Sequence, residues 1–156
     1  MKIIFLDIDG VLNSRAYDRL RNWDEQTDID ETRLPLVKSI VDRTDAKIVL
    51  SSTWRVHWSV HPQLCDRDGI YINEVFTKYG LEIYDKTPSL GIRAERRDEI
   101  AKWLERAREK VESFVIIDDY RYGWADLSDR FVKTNPNFGL GLEQEHVEKA
   151  VKILNK

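Results

Sequence analysis

Met1-Lys2-Ile3-Ile4-Phe5-Leu6-Asp7-Ile8-Asp9-Gly10-Val11-Leu12-Asn13 is the stretch that decides the fold. Its apolar run from Ile3 to Leu6 reads as a buried, central β-strand. The run stops on Asp7 and Asp9, two carboxylates flanking one isoleucine. Burying acids at a strand end costs several kcal/mol unless something positive lies against them. Gly10 lets the chain turn sharply and lets a ligand approach the backbone. Paired acids and a glycine at the carboxyl end of a buried strand mark the place where an open α/β sheet holds its ligand.

Two later apolar runs repeat this pattern. Ala46–Leu50 ends on Ser51-Ser52-Thr53-Trp54-Arg55, and Phe114–Ile117 ends on Asp118-Asp119. Leu81–Tyr84 and Phe131–Thr134 read as two more short strands. Helices are expected from Leu34-Pro35, over Tyr71–Tyr79 with Gly80 as cap, over Arg96–Val111, and over Glu143–Leu154. In the third of these, Ile100, Trp103, Leu104 and Ala107 form an inward stripe. Strands alternating with helices imply a mainly parallel sheet with right-handed crossovers. The fold class is therefore α/β, a three-layer α/β/α Rossmann-like arrangement in a single domain, 1–156. Residues 14–31 are polar, without clear periodicity, and read as a flap or minimal cap. Neither the interval between the first two strands, which already holds a helix, nor the one from 56 to 95 has room for a large cap domain.

Composition narrows the setting. The chain has 156 residues, a net charge of −3 and one cysteine, Cys65. The charge argues weakly against tight non-specific binding of nucleic acid. A lone cysteine forms no internal disulfide and fits a reducing compartment. No apolar run approaches the roughly 18 residues of a membrane span. A cytoplasmic protein with no membrane partner is expected. Five tryptophans are many for this length, and Trp54, Trp58 and Trp124, near strand ends, are candidates to line a cleft. His57 and His61, four apart, suggest a metal pair only weakly, with loop packing as the other reading.

In a parallel sheet Asp7/Asp9, Ser51/Ser52 and Asp118/Asp119 all project from one edge. Four converging carboxylates repel one another, so a hard cation is the natural neutraliser. Oxygen ligands without histidine or cysteine favour Mg²⁺, which keeps several waters and takes one or two carboxylates plus a substrate phosphate. A capping role remains open for Asp119 and for the Ser51-Ser52-Thr53 cluster.

Asp7-x-Asp9-Gly10-Val11-Leu12 resembles motif I of the haloacid dehalogenase (HAD) superfamily, D-x-D-G-(V/T)-(L/T). The strands ending in Ser51 and in Asp118-Asp119 resemble that superfamily's motifs II and IV. Leu50–Arg55 (LSSTWR), Arg96–Leu104 (RRDEIAKWL), the strand Ile116–Asp119 and Val132–Leu140 (VKTNPNFGL) are similar to small phage and bacterial HAD proteins. Those proteins are related to the HAD domain of Swiss Army knife RNA repair proteins. Arg96 takes the place of the motif III basic residue, while Arg97 stands where relatives commonly carry glycine.

The resemblance implies a two-step phosphoryl transfer. Asp7 would attack phosphorus, and Asp9 would protonate the leaving alcohol and then activate water. Ser51, helped by the Ser52 backbone N–H, would bind a phosphoryl oxygen, and Arg96 would offset its charge. Mg²⁺ would be bound by Asp7, the Asp9 backbone carbonyl, Asp118 and Asp119. Gly10, Arg55 and Arg97 join Ser52 as candidate substrate contacts.

Arginines and aromatics interleave in the flap (Arg15, Arg19, Arg21, Tyr17, Trp23) and after motifs II and IV (Arg55, His57, Trp58; Arg121, Tyr122, Trp124). That pattern suits single-stranded nucleic acid, though packed loops explain it too. With the resemblance, which extends to the phosphatase half of phage polynucleotide kinase, it points to a nucleotide or polynucleotide end phosphate. A phosphatase of small metabolites, a phosphotransferase, or a non-catalytic HAD-like domain binding nucleic acid or protein are the alternatives.

Overall fold

The computed structural model describes residues 1–121 and 123–156, with the backbone alone at Ala125. Among them, β1 (Lys2–Leu6), β2 (Lys47–Leu50), β3 (Ile83–Lys86), β4 (Ser113–Asp118) and β5 (Phe131–Lys133) form one sheet. Every pairing is parallel, in the spatial order β3-β2-β1-β4-β5. Side chains alternate across a strand, so Ile4 and Leu6 face one way and Ile3 and Phe5 the other. The first face packs with Ile48, Leu50, Val115, Ile117 and Val132 against α2 (Leu34–Thr44), α3 (Arg67–Lys78) and α5 (Gln144–Leu154). On the second face, Val49 and Ile116 join Ile3 and Phe5 against Ile100 and Trp103 of α4 (Arg96–Arg106). The Phe5 and Trp103 rings meet edge to face with centroids 5.4 Å apart. Three layers result.

Local chemistry sets the helix bounds. Pro35 lies in the first turn of α2, where its missing N–H costs nothing, and Asp45 ends that helix with φ 56. Glu143 and His146 cap α5 reciprocally. The third helix starts at Arg67, earlier than Tyr71, because the Asp66 carboxylate accepts from the amides of Asp68 and Gly69. Gly69 sits in its first turn, where a Cβ would lie 2.0 Å from the His57 carbonyl oxygen. The fourth stops at Arg106, short of Val111. Residues 110–112 are instead tied to the chain start, the Met1 ammonium donating to the Lys110 carbonyl and the Glu112 amide to the Met1 carbonyl. The 14–31 stretch carries α1 (Arg15–Asp18) and turns, closed by the Tyr17 hydroxyl on the carbonyls of Thr27 and Ile29. No described helix is long and apolar enough to cross a membrane.

This topology positions the site. The chain steps from β1 outward to β2 and β3, then crosses back to lay β4 and β5 on the other side. The crevice lies where that direction reverses, between β1 and β4. Leu6 is level with both Leu50 and Ile117. The ladder runs one step further, Ser51 N donating to Leu6 O at 2.9 Å and Asp7 N to Ile117 O at 3.1 Å. Asp7, Ser51 and Asp118 therefore leave the sheet side by side.

Candidate active site

One carboxylate oxygen from each of Asp7, Asp118 and Asp119 lies within 4.8 Å of the others. Asp7 and Asp118 are buried, at 6% and 1% exposure. Asp119 reaches the cluster because Gly10 makes room. At φ +80, a Cβ on Gly10 would fall 2.4 Å from the Asp119 Cγ. The Gly10 amide donates to Asn13 Oδ1 and its carbonyl accepts from Thr134 Oγ1, both at 2.8 Å. Gly10 thus serves the acids. The ligand approach expected of it is taken up by Asp119, and its N–H and C=O are already bonded within the chain.

Arg96 is the cation against this cluster. Its Nη1 lies 2.9 Å from Asp7 Oδ2 and 2.6 Å from Asp118 Oδ2. Along α4 the buried residues are Arg96, Glu99, Ile100 and Trp103. One face of the helix is therefore apolar where it covers the sheet and charged where it reaches the sheet's end. Burial pushes the Asp7 carboxyl upward, opposed mainly by the Arg96 charge. For Asp118, burial and then the Asp7 charge push the carboxyl up to about 7, again opposed by Arg96. One guanidinium facing three carboxylates leaves negative charge in excess. The donors are all oxygens, so the cluster fits a hard divalent cation such as Mg²⁺.

Asp9 stands apart from Asp7 in surroundings. Its side chain is exposed and outside the three-carboxylate cluster. Each of its oxygens has a neutral donor: Asn13 Nδ2 at 3.0 Å on Oδ1, and Trp54 Nε1 at 3.1 Å on Oδ2. Ser51 is 2% exposed, and its Oγ has no hydrogen-bond partner among the described residues. That hydroxyl is an unused donor on the residue that follows β2, level with Asp7. Ser52 is fully buried, and its Oγ accepts from the Trp54 amide at 3.3 Å.

Arg55 is a correction. It is buried, with Nη1 on the Ser52 carbonyl at 3.0 Å and Nη2 on Glu99 Oε1 at 2.7 Å. Its charge is spent inside the protein, so it is not available to a substrate. Arg97 points to Asp126 at 2.9 Å and is partly exposed. Of the two adjacent arginines, Arg96 is the one that reaches the acids.

The aromatic residues divide similarly. Trp54 borders the site through its bond to Asp9, while Trp58 and Trp124 are buried. Trp58 Nε1 donates to Asn73. Trp23 and Tyr120 are exposed. The Arg21 guanidinium stacks 3.5 Å over the Trp23 ring and pairs with Asp28. Tyr122 lies outside the described residues. His57 groups with Asp66 and Asp68, and His61 is not part of that group. Asn13, Thr134 and Glu99 are contributors that the sequence reading did not assign. The one signal for Asn13 was a polar residue placed directly after a buried Val11-Leu12.

A family model described as "HAD domain in Swiss Army Knife RNA repair proteins" matches residues 3–147. Comparison with curated proteins and with solved structures finds no match.

Proposed function

The chain belongs to the HAD domain family of Swiss Army Knife RNA repair proteins, and from that premise we propose that it is a Mg²⁺-dependent phosphomonoester hydrolase working through Asp7. The observation that carries this reading is the cluster of Asp7, Asp118 and Asp119 gathered against the Arg96 guanidinium. Asp7 attacks phosphorus and the ester P–O bond breaks, leaving an aspartyl-phosphate. Asp9 gives its proton to the leaving alkoxide. It then takes a proton from the water that attacks the aspartyl-phosphate, and phosphate departs from a regenerated Asp7. Ser51 and the Ser52 amide hold a phosphoryl oxygen, and Arg96 offsets charge on the transferring group. Asp7, the Asp9 carbonyl, Asp118 and Asp119 are the residues that would hold Mg²⁺. Bound there, the ion supplies polarisation of the phosphoryl group and screening of the attacking carboxylate.

The substrate we propose is a nucleotide or polynucleotide end phosphate. Its support is the family's repair context and the exposed Trp23 and Tyr120, whose π-faces suit base stacking. The test offers purified protein and Mg²⁺ an aryl phosphate, nucleoside 3′- and 5′-monophosphates, and end-phosphorylated oligonucleotides. Phosphate release that is lost with Asp7→Asn and with chelator supports the mechanism. Release that survives Asp7→Asn sinks it. Turnover of small esters with oligonucleotides inert removes the repair substrate and keeps the phosphatase.

A further inference from the structure

Arg55 and Glu99 form a buried ion pair at 2.7 Å, with side chains 10% and 6% exposed, that none of the chemistry above employs. Such pairs seldom add stability over apolar side chains of the same size. The informative feature is what the two ends hold. Arg55 Nη1 donates to the carbonyl of Ser52, a residue with no exposed surface. Glu99 sits three residues after Arg96 on the same buried face of α4. Its Oε1 also accepts from the Leu90 amide at 3.2 Å. From β3, Lys86 Nζ donates to the carbonyls of Arg55 and Trp58 at 2.8 and 2.5 Å. Ser51 still belongs to the sheet ladder through its amide, whereas Ser52 has left it.

We propose that Arg55 and Glu99 are positioning residues. Together they act as a strut that sets the distance between the Ser51–Ser52 turn and the Arg96 guanidinium. Those two groups come from different elements, β2 and α4, and must close on one phosphoryl group. The strut joins the elements at the turn itself, one helical turn from Arg96. Its catalytic consequence rests on the phosphatase reading, while the strut itself rests on geometry alone. Misplacing a phosphoryl-binding group by about 1 Å costs on the order of 10²-fold in rate.

Single charge removals threaten the fold, because they leave the other charge buried. The test therefore uses Arg55→Met together with Glu99→Leu, and Arg55→Lys as the conservative variant. Three readouts are taken on the full chain: thermal unfolding, amide hydrogen exchange over residues 51–58, and Mg²⁺-dependent hydrolysis of an aryl phosphate with orthovanadate as inhibitor. The double variant is expected to remain folded and to exchange faster over 51–58 while β1 and β4 stay protected. Its kcat falls about 10²-fold with KM little changed, and orthovanadate binding weakens more than inorganic phosphate binding. Arg55→Lys falls between it and wild type. Unchanged exchange over 51–58, or faster exchange with native kcat and orthovanadate affinity, overturns the proposal. Should the double variant not fold, Glu99→Gln, which keeps an acceptor for Arg55, is carried through the same readouts with the same criteria at smaller amplitude. A wild-type protein inert on every ester overturns the phosphatase reading instead, and the exchange result alone then decides the strut.

Discussion

Asp118→Asn is expected to make the metal-free protein more stable and the enzyme inactive, in one substitution. Asp118 is 1% exposed and shares the Arg96 guanidinium with Asp7. Burial first, and the Asp7 charge second, raise its carboxyl from 3.8 to about 7. A rise of that size disfavours the ionised form by at most about 4 kcal/mol. The folded chain keeps a proton on Asp118 where the unfolded chain has already released it. Between these two values the folded state binds more protons, so stability falls as pH rises. This contribution is complete below 3.8 and gone above about 7. Asparagine does not ionise and escapes the loss, and Arg96 keeps Asp7 at 2.9 Å. Denaturant unfolding in EDTA, at steps from pH 4.5 to 8, measures the difference between the two proteins and so cancels the titrating groups that do not interact with Asp118. They should agree within about 1 kcal/mol at the acid end, and the substituted protein should lead by about 1–4 kcal/mol at pH 8. Mg²⁺ at about a thousand times Kd should cancel or reverse that lead, since ligand in that excess adds about 4.1 kcal/mol to the protein that binds it. A substituted protein no stronger than wild type at pH 8 in EDTA refutes the reasoning. Arg96 would then neutralise Asp118 without cost.

Three further substitutions separate stability from activity. Ser51→Ala removes a buried hydroxyl that has no partner among the described residues, so stability should hold or rise, by up to about 1 kcal/mol. Its kcat/KM should nevertheless fall by about tenfold or more, read by steady-state kinetics. Gly10→Ala places a methyl 2.4 Å from Asp119 Cγ at φ +80. It should cost about 1–3 kcal/mol and weaken Mg²⁺ binding by calorimetry. Trp54→Phe keeps a ring but loses the donor to Asp9. Its kcat should drop about tenfold with KM unchanged and stability within about 1 kcal/mol.

The strand ends were legible in the sequence because burial and charge conflict there. An apolar run that stops on Asp7, on Ser51 or on Asp118 states both the strand and the edge from which the polar groups project. What joins those ends was not legible. Arg55 reads as an exposed cation after a strand, and its partner Glu99 is 44 positions away; the fold alone brings them together. Gly10 advertises a turn, but not that Asp119 needs the vacated space. Arg106 to Val111 keeps good helix formers and yet leaves the helix, because pairing with Met1 takes residues 110–112. Tertiary contacts override local propensity at each of these places. Arg96 and Arg97 are indistinguishable by residue type, and helical phase decides between them.

The central claim is that phosphate passes through Asp7. The direct measurement is a single turnover of an aryl phosphate with Mg²⁺, quenched in acid and read by peptide mass spectrometry, in wild type and in Asp9→Asn, which slows breakdown of the intermediate. The account predicts a phosphoryl group on the peptide spanning residues 1–15, placed on Asp7, enriched in Asp9→Asn and missing in Asp7→Asn. Phosphate released at the full wild-type rate with no adduct in either protein, or an adduct on another residue, would contradict it.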